Sequence, residues 1–281
     1  MGAPGAGFAA TRPQSVYGPF TISGVRRAVD RIGGKLPQGW GDLFRQFGFF
    51  FLADLAYDVV RGVADGKHQA AFAHGQQIID FERSTHTFFE PQLQSLILPA
   101  RFLVEFANQV YMNSQFAITL GFLAWLYLFR NDFYYFVRNM FVASMALALI
   151  GYALYPTAPP RLFPQYGFVD TMTDFSNVNH DSALVKMFIN PYAAVPSMHC
   201  AFALMIGVTG VRVARHHMAK AFWAFWPLLV MWVVVVTGNH YWLDIAAGGM
   251  VAALSALIAL RLARIRPEAW AFRTAPSEAQ A

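Results

Sequence analysis

Charge and cysteine are what this 281-residue chain has least of. Charged residues make up 13% of it, about half the quarter usual in soluble domains, too little to clothe a water-soluble fold. Cys200 is the only cysteine, which excludes intramolecular disulfides and thiolate-rich metal sites. Although His199 adjoins it, Cys200 reads as a buried, inert thiol rather than a nucleophile. The opening MGAPGAGFAATRPQSVYGPF has no apolar core of the kind a secretory signal needs. It reads as a basic tail. Gly2 opens no myristoylation signal, because Ala6 stands where Ser or Thr is required.

What the chain does have is apolar length. Hydrophobic residues reach 56% and aromatics 16%, and the mean hydropathy is positive. Runs such as FWAFWPLLVMWVVVV at 222–236 approach the roughly 20 residues a helix needs to cross about 30 Å of hydrocarbon. The expected fold is all-α, a polytopic membrane bundle of about six transmembrane helices near 42–62, 108–129, 136–155, 195–213, 221–237 and 241–261. A basic cytoplasmic tail (1–40) precedes the membrane domain (41–266), and a short cytoplasmic tail (267–281) follows it. Between the first two spans, 69–92 places Phe72, Ile79, Phe88 and Phe89 at helical spacing among polar residues, the pattern of an interfacial amphipathic helix. Residues 93–107, with Arg101 and Glu105, are too short to cross and are expected to dip into the bilayer. Asp54 and Asp58, four apart on the first span, line either the functional cavity or a water-exposed groove.

Basic residues set the orientation. Roughly fifteen, including Arg130, Arg138, Arg212 and Arg264, group on one side, against six on the other: Arg61, Lys67, Arg83, Arg101, Arg161 and Lys186. The richer side is read as cytoplasmic and holds both termini. The net charge of +5 is thereby assigned to topology and anionic lipid, with no nucleic-acid partner.

Three polar motifs then reach the same non-cytoplasmic level. AAVPSMHC (193–200) opens the fourth span. Pro196 is expected at its first helical position, with the Ser197 and Met198 amides unpartnered. Such a helix end favours phosphate, and His199 projects from its first turn. TGNHYWLD (237–244) opens the sixth span: Gly238 ends the fifth, Asn239 is expected as N-cap, and His240 and Asp244 share one face at i, i+4. A carboxylate on one imidazole nitrogen fixes the tautomer and frees the other nitrogen to attack. An ionisable pair at a membrane helix start is costly, which points to function. In YPTAPPRLF (155–163), Arg161 follows a rigid turn, placed either to clamp phosphate oxygens or to snorkel to headgroups. The whole set suits phosphoryl transfer, one histidine acting as nucleophile and the other as general acid. That chemistry calls for no cofactor and no metal. A zinc site from His199, His240 and Asp244 is the competing reading, weaker because zinc needs neither Arg161 nor the amides.

Pro196-Ser197-Met198-His199 and His240-Tyr241-Trp242-Leu243-Asp244 together resemble the PSxH and HxxxD hallmarks of the type-2 phosphatidic acid phosphatase superfamily, most closely over 150–250. The resemblance implies that His240 becomes a phosphohistidine, Asp244 orients it, and His199 protonates the leaving alkoxide. Arg161, with Ser197 and Asn239, would hold the phosphate. Two departures bear on the reaction. Leu154 stands where phosphatase members carry a lysine, and Val233 and Val234 stand where they carry Ser-Arg. The P-x-APP and HYxxD pattern is instead similar to the inositol phosphorylceramide synthase branch. That implies a phosphotransferase working between a phospholipid or other lipid-linked phosphate and a hydroxyl, with inositol a candidate polyol acceptor. A singly charged phosphodiester needs fewer cations than a doubly charged monoester, in keeping with the missing pair. The alternative is a lipid phosphate phosphatase of phosphatidic acid or polyprenyl phosphate type, with water as acceptor. A third reading is a non-catalytic lipid-binding protein, against which the intact His199, His240 and Asp244 argue. In the loop 164–192, Asp170, Asp174, Asn177, Asn179, His180 and Asp181 either line an acceptor pocket or solvate the loop. The expected location is a bacterial plasma membrane.

Overall fold

The computed structural model describes residues 33–34, 36–64, 67–175 and 192–266. The expected tails fall largely (1–40) or wholly (267–281) outside these residues, as do Asn177, Asn179, His180, Asp181 and Lys186. The chain divides into two units, Met1–Arg45 and Gln46–Ala281. In the first, the Gly39 amide closes a turn on Leu36 O at 3.4 Å, and Trp40 stacks on Phe44 where α1 (Gly39–Ala64) begins. Asp54 and Asp58 lie within α1, and their side chains are outside the described set.

Backbone polar groups have no water to turn to in hydrocarbon, so a spanning chain must satisfy them internally, as helices do. The second unit does so with α2 (His68–Ser84), α3 (Glu90–Ile97), α4 (Arg101–Asn113), α5 (Thr119–Phe129), α6 (Asn131–Leu154), α7 (Met198–Val213), α8 (His217–Val236) and α9 (Trp242–Ile265). Among the described residues there is no strand, only an isolated parallel bridge between Thr157 and Ala193. The fold is an all-α membrane helix bundle. By length and composition α6, α8 and α9 can each cross a membrane, and the bent pair α4–α5 counts as a fourth if it is one span.

The short helix α7 packs against α6, α8 and α9. Its Cys200, Ala201, Ala203, Met205 and Ile206 are buried, while Leu154, Phe225, Leu228, Met250 and Leu257 stay exposed on the longer helices. Exposed apolar side chains in such number need a lipid solvent. Cations cap helix ends: Arg130 Nη1 donates to Val213 O at 3.1 Å, and Lys67 Nζ to Ala153 O at 2.9 Å, where the helix dipole favours positive charge.

Three expectations change in detail. The segment near 108–129, expected to hold the second span, lies in two helices joined by a π-helical turn at Ser114–Ile118 and bent by 51°. The amphipathic helix expected over 69–92 ends at Ser84 as α2, leaving Phe88 and Phe89 in the turn before α3, and its Ala71, Ile78 and Ile79 pack on Ala158, Phe163, Phe168 and Tyr241. Its buried stripe is covered by the chain's own loops and by the start of α9. Arg138, counted above as a topology marker, is fully buried, donating to Gln46 Oε1 and Asn139 Oδ1 at 2.7 Å each and lying over the Phe49 and Tyr135 rings.

Candidate active site

The three motifs meet because their backbones are stitched together. Thr157 N donates to Tyr192 O (2.8 Å) and Ala194 N to Thr157 O (3.2 Å), so the proline-rich loop lies beside the residues leading into α7. Arg161 N donates to Gly238 O (2.8 Å), and Ser197 N to Asp244 O (3.1 Å), tying both segments to the start of α9. Gly238 sits at φ +68, a conformation that a side chain disfavours, and that turn brings α9 back against α7. There Gly248 is obligatory in a different way: a Cβ on it would lie 2.4 Å from Ser197 O.

His240 is held in this junction with 4% of its surface exposed. Its Nδ1 lies 2.9 Å from Ala194 O and 3.2 Å from Asp244 Oδ2. Both are acceptors, so Nδ1 carries the proton and Nε2 keeps the lone pair. Asp244 was expected to fix the tautomer; it shares that task with a carbonyl that is nearer. Burial pushes His240 down to about 3, and the Arg161 charge adds to the effect. The ring is therefore neutral at physiological pH, as a nucleophile must be.

His199, in the first turn of α7, stands with its ring centroid 5.8 Å from that of His240 and stacks on Tyr111 (4.2 Å, 17°). Tyr111 belongs to the last turn of α4, just before the π-helical bend. Arg161 donates through Nη1 to Asn239 Oδ1, and its Nε lies 3.8 Å from Asp170 Oδ2. Asp170 also caps the one-turn helix Thr171–Asp174, accepting from Met172 N and Thr173 N. Asp174 in that turn is exposed. Leu154 is 77% exposed, whereas Val233 and Val234 are buried in apolar packing.

Several details differ from expectation. Pro196 lies before the cap rather than at the first helical position. Ser197 is the N-cap of α7, its hydroxyl accepting from Cys200 N at 3.4 Å. The Ser197 amide is taken by Asp244 O, but the Met198 and His199 amides find no acceptor among the described residues. The N-cap of α9 is Tyr241, not Asn239. Asn239 instead orients Arg161 and bonds Thr237 Oγ1 at 2.8 Å. The amides of α9 are not open to an anion: Tyr241 N donates to Asp244 Oδ2 and Trp242 N to Glu90 Oε1, both at 3.0 Å. The zinc alternative required His199, His240 and Asp244 to face one centre. Asp244 lies instead on the Nδ1 side of His240, and no trio of described His, Cys, Asp or Glu side chains is arranged to hold a metal.

A family model described as PAP2 superfamily matches residues 76–258, well over half of the chain. The chain belongs to the PAP2 superfamily. No curated protein and no solved structure matches it. PAP2 membership brings lipid phosphatase or phosphotransferase-type chemistry on lipid phosphates in a membrane. The matched stretch contains Arg161, His199, His240 and Asp244, and names no branch of the superfamily.

The sequence reading of this PAP2 chain missed Glu82, Glu90 and Tyr111. Glu90 is 152 positions from the amide it caps, a distance no local pattern reveals. One signal was present: Glu82 and Glu90 flank the turn ERSTHTFFE in a chain with only 16 acidic residues.

Proposed function

We propose that this PAP2-superfamily protein is a membrane phosphotransferase that passes a lipid-linked phosphoryl headgroup through a phosphohistidine on His240, with inositol-type transfer as the model. The observation that carries the reading is the His240 imidazole, locked through Nδ1 by Ala194 O and Asp244, with no partner for Nε2 among the described residues. Beside it, His199 stands in the first turn of a helix whose Met198 and His199 amides are unclaimed among the described residues.

In the first step Nε2 attacks phosphorus and the bond to the lipid alkoxide breaks. His199 supplies the proton that the alkoxide takes. Arg161, aimed by Asn239, and the Met198 and His199 amides hold the non-bridging oxygens. In the second step an acceptor hydroxyl gives its proton to His199, attacks the phosphohistidine and restores His240. Asp244 balances the positive charge that His240 acquires. Leu154 points outward, and Val233 and Val234 are core residues, so this chain adds no cation at those positions, in keeping with a singly charged diester.

The reading includes six crossings, formed by α1, the α4–α5 pair, α6, α7, α8 and α9, with both termini cytoplasmic and the site on the opposite face. A bacterial plasma membrane fits it. One observation favours the phosphatase alternative: Lys67 stands at Ala153 O, next to Leu154, and brings a cation to the end of α6 from elsewhere in the chain.

The deciding assay uses purified protein, chelator and a headgroup-labelled phospholipid, with and without inositol. Label on inositol or another added alcohol supports transfer. Free phosphate released from a lipid monophosphate, indifferent to alcohol, replaces transfer with hydrolysis. Silence in both assays, with activity restored by zinc, overturns the phosphohistidine scheme.

A further inference from the structure

Three carboxyl groups converge on the start of α9, and among the described residues none of them pairs with Lys or Arg. Asp244 accepts from Tyr241 N and Glu90 from Trp242 N. Glu82 faces the Leu243 amide and the Glu90 carboxyl. All three are fully buried. Among the described residues, Glu82 Oε1, Glu82 Oε2, Glu90 Oε2 and Asp244 Oδ1 have no partner of full hydrogen-bond geometry.

A helix N-terminus presents about half a positive charge, enough to answer one carboxylate and not three. Two carboxyls in contact within a dry site do not both ionise. Burial first, then the neighbouring Glu90, pushes Glu82 up to about 9. A proton on Glu82 also supplies the donor that Glu90 Oε2 lacks.

We propose that Glu82 and Glu90 are positioning residues: a carboxylic acid–carboxylate pair sharing one proton, which caps the helix carrying Asp244 and steadies the His240 turn. The turn between α2 and α3 is built for this. Thr87 N donates to Glu82 O at 2.8 Å, Thr87 Oγ1 accepts from Trp242 Nε1 at 3.2 Å, and His86 takes a left-handed φ of 56. That turn returns the chain so that residues eight apart meet at one helix end. The cap also keeps a substrate phosphate away from α9 and directs it to the α7 amides.

The ionisable groups facing the pair are Asp244 in the first turn of α9 and Tyr241 at its N-cap, and Tyr166 on the 164–166 turn faces Tyr241 in turn. Arg83, next to Glu82 in sequence, turns its guanidinium to the Tyr166 ring, 5.6 Å from its centroid. Because Glu82 is raised in the folded protein, its stabilisation is whole below the ordinary carboxylate value. It is lost as pH rises through about 9. Loss of the proton sets a second negative charge against Glu90 and Asp244, and the cap loosens.

The proton-sharing stands apart from the function proposed above; only its effect on turnover rests on that reading. The test therefore has a spectroscopic arm on the full-length protein in detergent. Wild type should show the infrared C=O stretch of a buried carboxylic acid at neutral pH, lost on the alkaline side and missing in Glu82→Gln. No such band in wild type, or an unchanged band in Glu82→Gln, overturns the proposal even if no lipid substrate is found. In the activity arm Glu82→Gln, whose amide donates to Glu90 as the acid did, should keep turnover within about threefold and lose the alkaline decline. Glu90→Ala should lower kcat about tenfold to a hundredfold with little change in KM. An alkaline limb unchanged in Glu82→Gln sinks the positioning role, whatever the spectrum shows.

Discussion

The starts of α7 and α9 look alike in sequence, each a histidine at the mouth of an apolar helix, yet they are finished in opposite ways. At α7 a lone serine hydroxyl caps the helix at 3.4 Å, and the Met198 and His199 amides remain open among the described residues. At α9 Asp244 and Glu90 take the first two amides and Glu82 faces the third. The difference teaches that a helix N-terminus binds an anion only if its own chain has not already supplied one. On the proposed reading, α7 is left electropositive for substrate, and α9 is neutralised into a mount for the nucleophile.

The sharpest way to break this contrast is to remove each histidine in turn. His240→Ala should abolish turnover, by on the order of 10⁴-fold or more, while the protein keeps its elution profile and helical spectrum. No phosphohistidine should form. His199→Ala should be milder, about 10²–10⁴-fold, and should leave label trapped on His240 when the leaving group is poor. Full activity in either variant, measured with the headgroup-transfer assay, would end the assignment of roles to the two starts.

How much of this was legible beforehand follows from the range of each interaction. The i, i+4 spacing of His240 and Asp244 put them within reach of each other, and they lie 3.2 Å apart, although His240 stands just before α9 rather than on it. Ser197 was placed at the helix start, but with Pro196 expected at the first helical position its part as the N-cap was not foreseen. Asn239 was misread as a cap because the turn at Gly238 carries the chain two residues further before the helix begins, and its side-chain oxygen accepts from Arg161 instead. Ala194 O, the nearer partner of Nδ1, is a backbone atom and leaves no mark in sequence. Glu82 and Glu90 act across more than 150 positions, where only the fold joins them. The bundle itself was legible in hydropathy, but the break at Ser114–Ile118 was not, since an apolar run reads the same straight or bent.

The two starts also have to be kept at a fixed separation. Gly248 sets it, since a Cβ there would meet the carbonyl of Ser197 at 2.4 Å and neither backbone has slack. Gly248→Ala should destabilise the protein by about 1–3 kcal/mol, read as a lower melting temperature in detergent. It should also cut kcat about tenfold to a hundredfold, because misplacement by a fraction of an ångström is felt by in-line attack. Wild-type kcat in a destabilised Gly248→Ala would show that His199 and His240 tolerate a looser spacing than this geometry implies.

The smallest effect belongs to Ser197, and it sharpens the comparison from the α7 side. If its hydroxyl held the phosphate, Ser197→Ala would raise KM strongly and leave stability alone. The hydroxyl instead turns inward to the Cys200 amide, at the long end of hydrogen-bond range, so its role is to cap. Ser197→Ala should therefore cost about 0.5–1 kcal/mol of stability and change KM by less than about threefold. Calorimetry and steady-state kinetics on one preparation separate the two cases. A large KM effect with unchanged melting would move Ser197 from the helix to the substrate, and the open amides of Met198 and His199 would then share the phosphate with a side chain.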